Sequence, residues 1–187
     1  LVWRRAHGRN LSAAWQYERR VLSACAAAGV YPRKAFTAAG GFDEDFFAYM
    51  EDVDLDFRLQ LLGYPCWYLP QAVVRHAGSG STAPRSDLVI FYGHRNLVWT
   101  FVKDMPGWLF WVMLLPHLLV NLLYLIVALF LPMRKAMFKA KWEALIGLPT
   151  AWKKRRAVQR QRKVSVGYIA GLLEWNPLAP LIKLTYR

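Results

Sequence analysis

Cysteine is scarce in this chain of 187 residues: Cys25 and Cys66 are the only two, far apart and without CxxC spacing. That excludes a disulfide framework and a cysteine zinc site, and it suggests a reducing compartment. An initiator Met is also missing. Arg4, Arg5 and Arg9 break any early apolar run, so no signal peptide is visible, and the chain is expected to be a fragment without its N-terminal part. Acids are few, 12 Asp and Glu against 25 Lys and Arg, for a net charge of +13. No recognition module for nucleic acid accompanies that charge, so no nucleic-acid partner is expected.

The bases are not spread evenly. Residues 1–132 carry 12 Lys/Arg and 10 Asp/Glu, whereas residues 133–187 carry 13 and 2. The apolar run WLFWVMLLPHLLVNLLYLIVALFL, 108–131, precedes this basic tail and holds no charged residue. At the ~20 residues of a membrane span it is long enough to cross. Pro116 near its middle, and a basic tail that belongs on the cytoplasmic side, argue against one simple crossing. A re-entrant hairpin or a helix pair in the interface satisfies both constraints, and a soluble core helix is the other alternative. Residues 134–165 alternate bases with Trp142, Trp152, Ala and Leu, the pattern of a basic amphipathic segment at an anionic membrane surface.

Upstream, RKAFTAAGGF reads as a short helix stopped by Gly40 and Gly41, and Glu51 to Leu62 as a second helix closed by Gly63. Leu55, Leu59 and Leu62 share one face of that helix, with Arg58 and Gln60 elsewhere. PCWYLP and AVVRH read as two short strands, 78–86 as a loop, and 87–105 as a further helix. The order suggests the second half of an α/β domain.

Seven of the twelve acids fall within residues 43–56: Asp43, Glu44, Asp45, Glu51, Asp52, Asp54 and Asp56. Acids at a helix start cap free N–H groups and suit the helix dipole, which is a sufficient structural reason for EDVD alone. The same place keeps a carboxylate ionised on a rigid element, as a general base requires.

The ordered elements GGFDEDFF (40–47), Glu51-Asp52, Asp54, Leu55, Arg58, Gly63-Tyr64, Pro70 and His76 closely resemble the acceptor-side half of family 2 glycosyltransferases. The rhamnosyltransferase-like bacterial branch is the nearest in pattern, and the likeness continues through FYGHRNLVW, the apolar run and the basic tail. This resemblance implies an α/β fold class: a partial GT-A domain over 1–104, a membrane-associated hydrophobic segment over 105–133 and a basic tail over 134–187. It implies an inverting transfer of a sugar, rhamnose in that branch, from a nucleotide-diphosphate sugar to a glycan or lipid-linked acceptor at the cytoplasmic face of the bacterial inner membrane.

Asp52 is then the catalytic base, and His76 completes a site for Mn²⁺ or Mg²⁺. Glu51 and Asp54 shape the acceptor pocket or cap the helix. Arg95 meets a diphosphate through fork geometry or is an ordinary surface residue. Three formal DxD triplets, at 43–45, 52–54 and 54–56, follow no apolar strand and are not the donor motif. The nucleotide-binding half is therefore expected to be absent, and a catalytically inactive membrane-binding remnant is the alternative function.

Overall fold

The computed structural model describes residues 16–74 and 86–175. Within them the chain is mostly helical, with one two-stranded sheet. Strand β1, Arg19–Val21, pairs antiparallel with β2, Cys66–Tyr68, so that Arg20 faces Trp67 across the ladder. The expected second strand, AVVRH, does not form over 72–74, which run unpaired; 75 and 76 lie outside the described residues. The expected α/β character is thus confined to this small sheet, and the described residues contain no βαβ unit.

Helix α1, Arg33–Ala38, ends where Gly40 and Gly41 take positive φ of 82° and 69°. Helix α2, Glu51–Leu61, ends before Gly63 at φ 88°. Both stops fall where left-handed backbone suits glycine. Leu55 and Leu59 pack in one cluster, as a shared face requires, but burial is not confined to that face. Residues 53–61 are all buried, polar ones included, because α2 is the central element and other elements pack around it. Each buried polar side chain serves as an anchor. Gln60 donates from Nε2 to the Val21 carbonyl at 2.8 Å and accepts from the Tyr168 hydroxyl at 2.7 Å. Arg58 donates to the Gly41 carbonyl at 2.8 Å, fixing the glycine turn to the helix.

The apolar core joins Val53, Phe57 and Leu61 of α2 to Phe101 and Val102 of α3 (Asp87–Asp104) and to Leu109 and Phe110 of α4 (Gly107–Ala128). Helix α4 runs unbroken through Pro116, so no hairpin turn interrupts the apolar run. It is long and apolar enough to cross a membrane, and only 6 % of its most apolar window is buried.

The basic tail folds as α5 (Arg134–Ile146), α6 (Leu148–Arg160) and the short α7 (Val166–Leu172). Ala136, Ala140 and Ala144 form a small-residue stripe on the buried side of α5, where it packs on α3. Between α5 and α6, Gly147 leaves room for Trp99: a Cβ there would meet the indole at 2.3 Å. Helix α6 also completes the end of α3. Arg155 donates to the carbonyls of Val102 and Met105 at 2.8 and 2.6 Å, and Gln159 donates to those of Lys103 and Asp104. Those carbonyls are among the four that a helix leaves without intrahelical partners. Part of the tail's positive charge therefore closes a helix end and is not offered to a partner.

A candidate catalytic carboxylate at the start of an acidic helix

The segment before α2 turns through a conformation that its residues rarely adopt. Phe47, Tyr49 and Met50 all have positive φ, at 60°, 64° and 71°. Left-handed backbone costs of order 1–3 kcal/mol at each non-glycine position, so the surroundings must hold it. They do so chiefly through one amide. Asn96, fully buried in α3, donates from Nδ2 to the carbonyls of Phe46, Ala48 and Tyr49 at 2.9, 2.8 and 2.7 Å. Its neighbour Arg95 donates from Nη2 to the carbonyls of Asp45 and Phe46 at 2.8 and 3.1 Å. The Arg95 guanidinium also lies 4.2 Å from the Trp99 ring centroid and 4.8 Å from that of Tyr92. Phe46, buried against Trp99, anchors the turn from below.

The turn delivers Glu51 and Asp52 to the first turn of α2. Asp52 accepts from its neighbour's amide, Val53 N, at 2.8 Å and from Ala26 N at 3.2 Å. These two backbone donors fix the carboxylate at the head of the helix. Beside it, burial raises the pKa of Glu51, and the Asp52 charge adds to that. Glu51 Oε2 has no hydrogen-bond partner among the described residues. One turn on, Asp56 accepts from Ser23 Oγ at 2.8 Å and Ala24 N at 2.7 Å, and burial pushes it up to about 6. Asp52 and Asp56 thus pin the 23–26 segment along one side of α2.

Asp54 faces the opposite way and is fully buried. Its carboxylate accepts from Arg58 Nε and Nη2 at 2.9 and 2.6 Å and pairs with Lys103. Lys103 continues to Asp43 at 2.6 Å, and Asp43 pairs with Lys154 of α6 at 2.5 Å. Burial would raise the Asp43 pKa, but hydrogen bonds from Lys103 and Lys154 outweigh it and hold the group at about 2. Asp104, also fully buried, is pushed well up by burial and then by the Asp54 charge.

These groups border a cleft of about 520 Å³ lined by Gly40, Asp43, Glu44, Arg58, Lys103 and Lys154 among others. Asp52 does not line it, so this cleft and the candidate base are separate.

The structure therefore gathers Glu51, Asp52 and Asp54 on one helical turn and sets Arg95 behind the loop that delivers them. Arg95 grips backbone carbonyls there. His76 lies outside the described residues. Among the described residues no three Asp, Glu, His or Cys side chains converge as a cation site. None of the three DxD triplets follows a strand; Asp43 and Asp45 instead flank a 3-10 turn whose acids pair with lysines. Asn96 escaped the sequence reading. Its only signal is an amide in the middle of an apolar helix, where Asn is a poor helix former and needs a buried partner.

Fold and site together define a helical module organised around an acidic helix start. No protein-family model and no solved structure matches the chain. Two curated relatives do: the N-acetylglucosaminyl-diphospho-decaprenol L-rhamnosyltransferases of two Mycobacterium tuberculosis strains, CDC 1551/Oshkosh and ATCC 25618/H37Rv. Each is 43 % identical over 79 residues, a stretch covering 41 % of this chain and 25 % of the relative. The chain thus matches about a quarter of the length of these relatives, and the match supports a glycosyltransferase-like relationship.

Two outcomes test the geometry. Asn96→Ala should lower stability by about 2–4 kcal/mol in urea unfolding, since it removes the fully buried amide that bonds three carbonyls of the strained turn; a loss below about 0.5 kcal/mol would show that the turn holds itself. Because the folded pKa of Asp43 lies below its unfolded value, its contribution is present above pH ~4 and is lost as pH falls toward 2. Thermal melts of the native chain should therefore fall across that window, and Asp43→Asn should flatten its share of the fall.

Proposed function

We propose that this chain is the acceptor-side part of an inverting glycosyltransferase acting at the cytoplasmic face of a bacterial membrane. The donor is a nucleotide-diphosphate sugar, with rhamnose the sugar on the precedent of the relatives' names, and the acceptor is a hydroxyl of a lipid-linked glycan. The observation that carries this reading is the Asp52 carboxylate, fixed by two backbone amides at the head of α2 behind a clamped turn. The 43 % match to rhamnosyltransferases supports the chemistry assigned to it.

In the proposed step Asp52 takes the proton from the acceptor hydroxyl. The oxygen forms a bond to the anomeric carbon as the bond from that carbon to the diphosphate breaks, and the nucleoside diphosphate leaves with the electron pair. A general base of this kind contributes about 10²–10⁴-fold. Glu51, adjacent and with its Oε2 lacking a hydrogen-bond partner among the described residues, is placed to meet an acceptor hydroxyl. Asp54 acts from the interior by fixing Arg58 and Lys103, and Arg95 by fixing the loop.

His76 is retained as a proposed ligand for Mn²⁺ or Mg²⁺ on the family resemblance. The described residues do not by themselves assemble a cation site. Donor recognition is assigned to parts of the enzyme beyond the described residues.

Asp52→Asn in the complete enzyme should reduce kcat by about 10²–10⁴-fold while changing donor affinity little, measured by radiolabelled sugar transfer and donor titration. Unchanged turnover would remove Asp52 as the base. Loss of donor affinity instead of turnover would make it a structural residue.

A further inference from the structure

Helix α4 has two faces of different character along its whole length. Trp111, Leu115, Leu118, Leu122 and Ile126 are exposed and recur at helical spacing, and no polar group interrupts that stripe. The opposite face carries the helix's polar side chains, and they point into the protein. The His117 ring stacks on Phe101 with centroids 4.0 Å apart, Tyr124 meets His94 at 4.8 Å, and Asn121 pairs with Lys141 of α5. Phe110 also stacks on Phe101, at 5.2 Å. The order of these contacts shows that α4 folds back antiparallel along α3.

That arrangement conflicts with a crossing. If α4 stood across a bilayer, α3 and α5 beside it would be immersed too, with the half-buried Arg95 and the exposed Lys139. Each such charge costs about 2.5–3.5 kcal/mol at the bilayer centre even on the most lenient scale. Laid flat, the same helix presents a stripe about 23 Å long to the hydrocarbon edge and leaves α3 and the acidic site in water. Phe138, Trp142, Leu145 and Ile146 of α5 add to the exposed apolar surface, and Arg134, Lys135 and Lys139 stand exposed beside them. Bases and tryptophans flanking an apolar stripe are the complement of an anionic bilayer surface.

We infer that α4 lies in the plane of an anionic membrane, with both ends on the same side and its Trp111–Leu115–Leu118–Leu122–Ile126 face in the lipid. The inference deepens the membrane association proposed for this chain and does not depend on the sugar-transfer step. Its consequence is that the domain is seated at a fixed height over a lipid-anchored substrate, without a transmembrane anchor in α4.

The test uses the 187-residue chain with Cys25→Ser and Cys66→Ser, added to preformed phosphatidylcholine vesicles with and without phosphatidylglycerol. Single cysteines are placed at Trp108, Leu118 and Phe130. With phosphatidylglycerol present, an external membrane-impermeant maleimide should label both Trp108→Cys and Phe130→Cys. A solvent-sensitive fluorophore on Leu118→Cys should report an apolar environment. Leu115→Asp with Leu122→Asp should weaken vesicle binding at least about tenfold with unchanged helical circular dichroism.

Labelling of one end only would establish a crossing and overturn the in-plane seat while leaving membrane association intact. Absence of vesicle binding, with a dimer in solution, would assign the face to a second copy and overturn both. Neither result would bear on Asp52, whose assay is independent.

Discussion

The Lys103 ammonium, 2 % exposed, is the interaction on which the rest of the structure depends. It sits among Asp54 of α2, Asp43 of the preceding loop and the face of Phe46, 4.9 Å from that ring's centroid. A buried charge without partners costs several kcal/mol, so three elements distant in sequence must converge on it. Arg58 extends the grip to the Gly40-Gly41 turn through the Asp54 carboxylate they share, and Lys154 brings α6 to the same acids. Three of the seven acids clustered at 43–56, Asp43, Asp45 and Asp54, are thereby accounted for as counter-charges to interior and cleft-side bases.

What that convergence releases is a single helix start. With Asp43, Asp45 and Asp54 held by lysine and arginine, and Asp56 held by Ser23 and Ala24, Glu51 and Asp52 remain at the head of α2 with no lysine or arginine partner recorded among the described residues. Asn96 fixes their approach by bonding to a turn whose backbone would otherwise relax. One face of α3 thus supplies the lysine, the amide and the arginine that shape the acidic side, while the other receives α4. The proposed catalytic carboxylate and the proposed membrane seat are two sides of the same helix.

Much of this organisation was legible in the sequence, for physical reasons that differ by element. The glycines at 40, 41 and 63 marked helix ends because left-handed backbone is theirs by sterics, and the charge-free run marked α4 by length. The 3.6-residue period of α2 put Leu55 and Leu59 on one face, but could not show that the helix is buried all round and that its polar residues anchor neighbours instead of facing water. Nothing local could show that Lys154 belongs to Asp43, 111 residues away, or that Arg155 closes α3. The left-handed turn at Phe47, Tyr49 and Met50 contains no glycine to announce it. Its conformation exists only because Asn96 arrives from another helix. Pro116 suggested an interruption, yet the helix carries it on its exposed side without breaking.

The central claim is that the Lys103–Asp54 contact holds the acidic helix in place, and a double-mutant cycle tests it most directly. Lys103→Met alone should destabilise the chain by about 3–5 kcal/mol in denaturant unfolding, because it removes the buried ammonium that Asp54 and Asp43 share and leaves their charges under-compensated. Adding Asp54→Asn should recover part of that loss, giving a coupling energy of about 2 kcal/mol or more. Strict additivity of the two substitutions, with a coupling below about 0.3 kcal/mol, would contradict the account and place the organising interaction elsewhere.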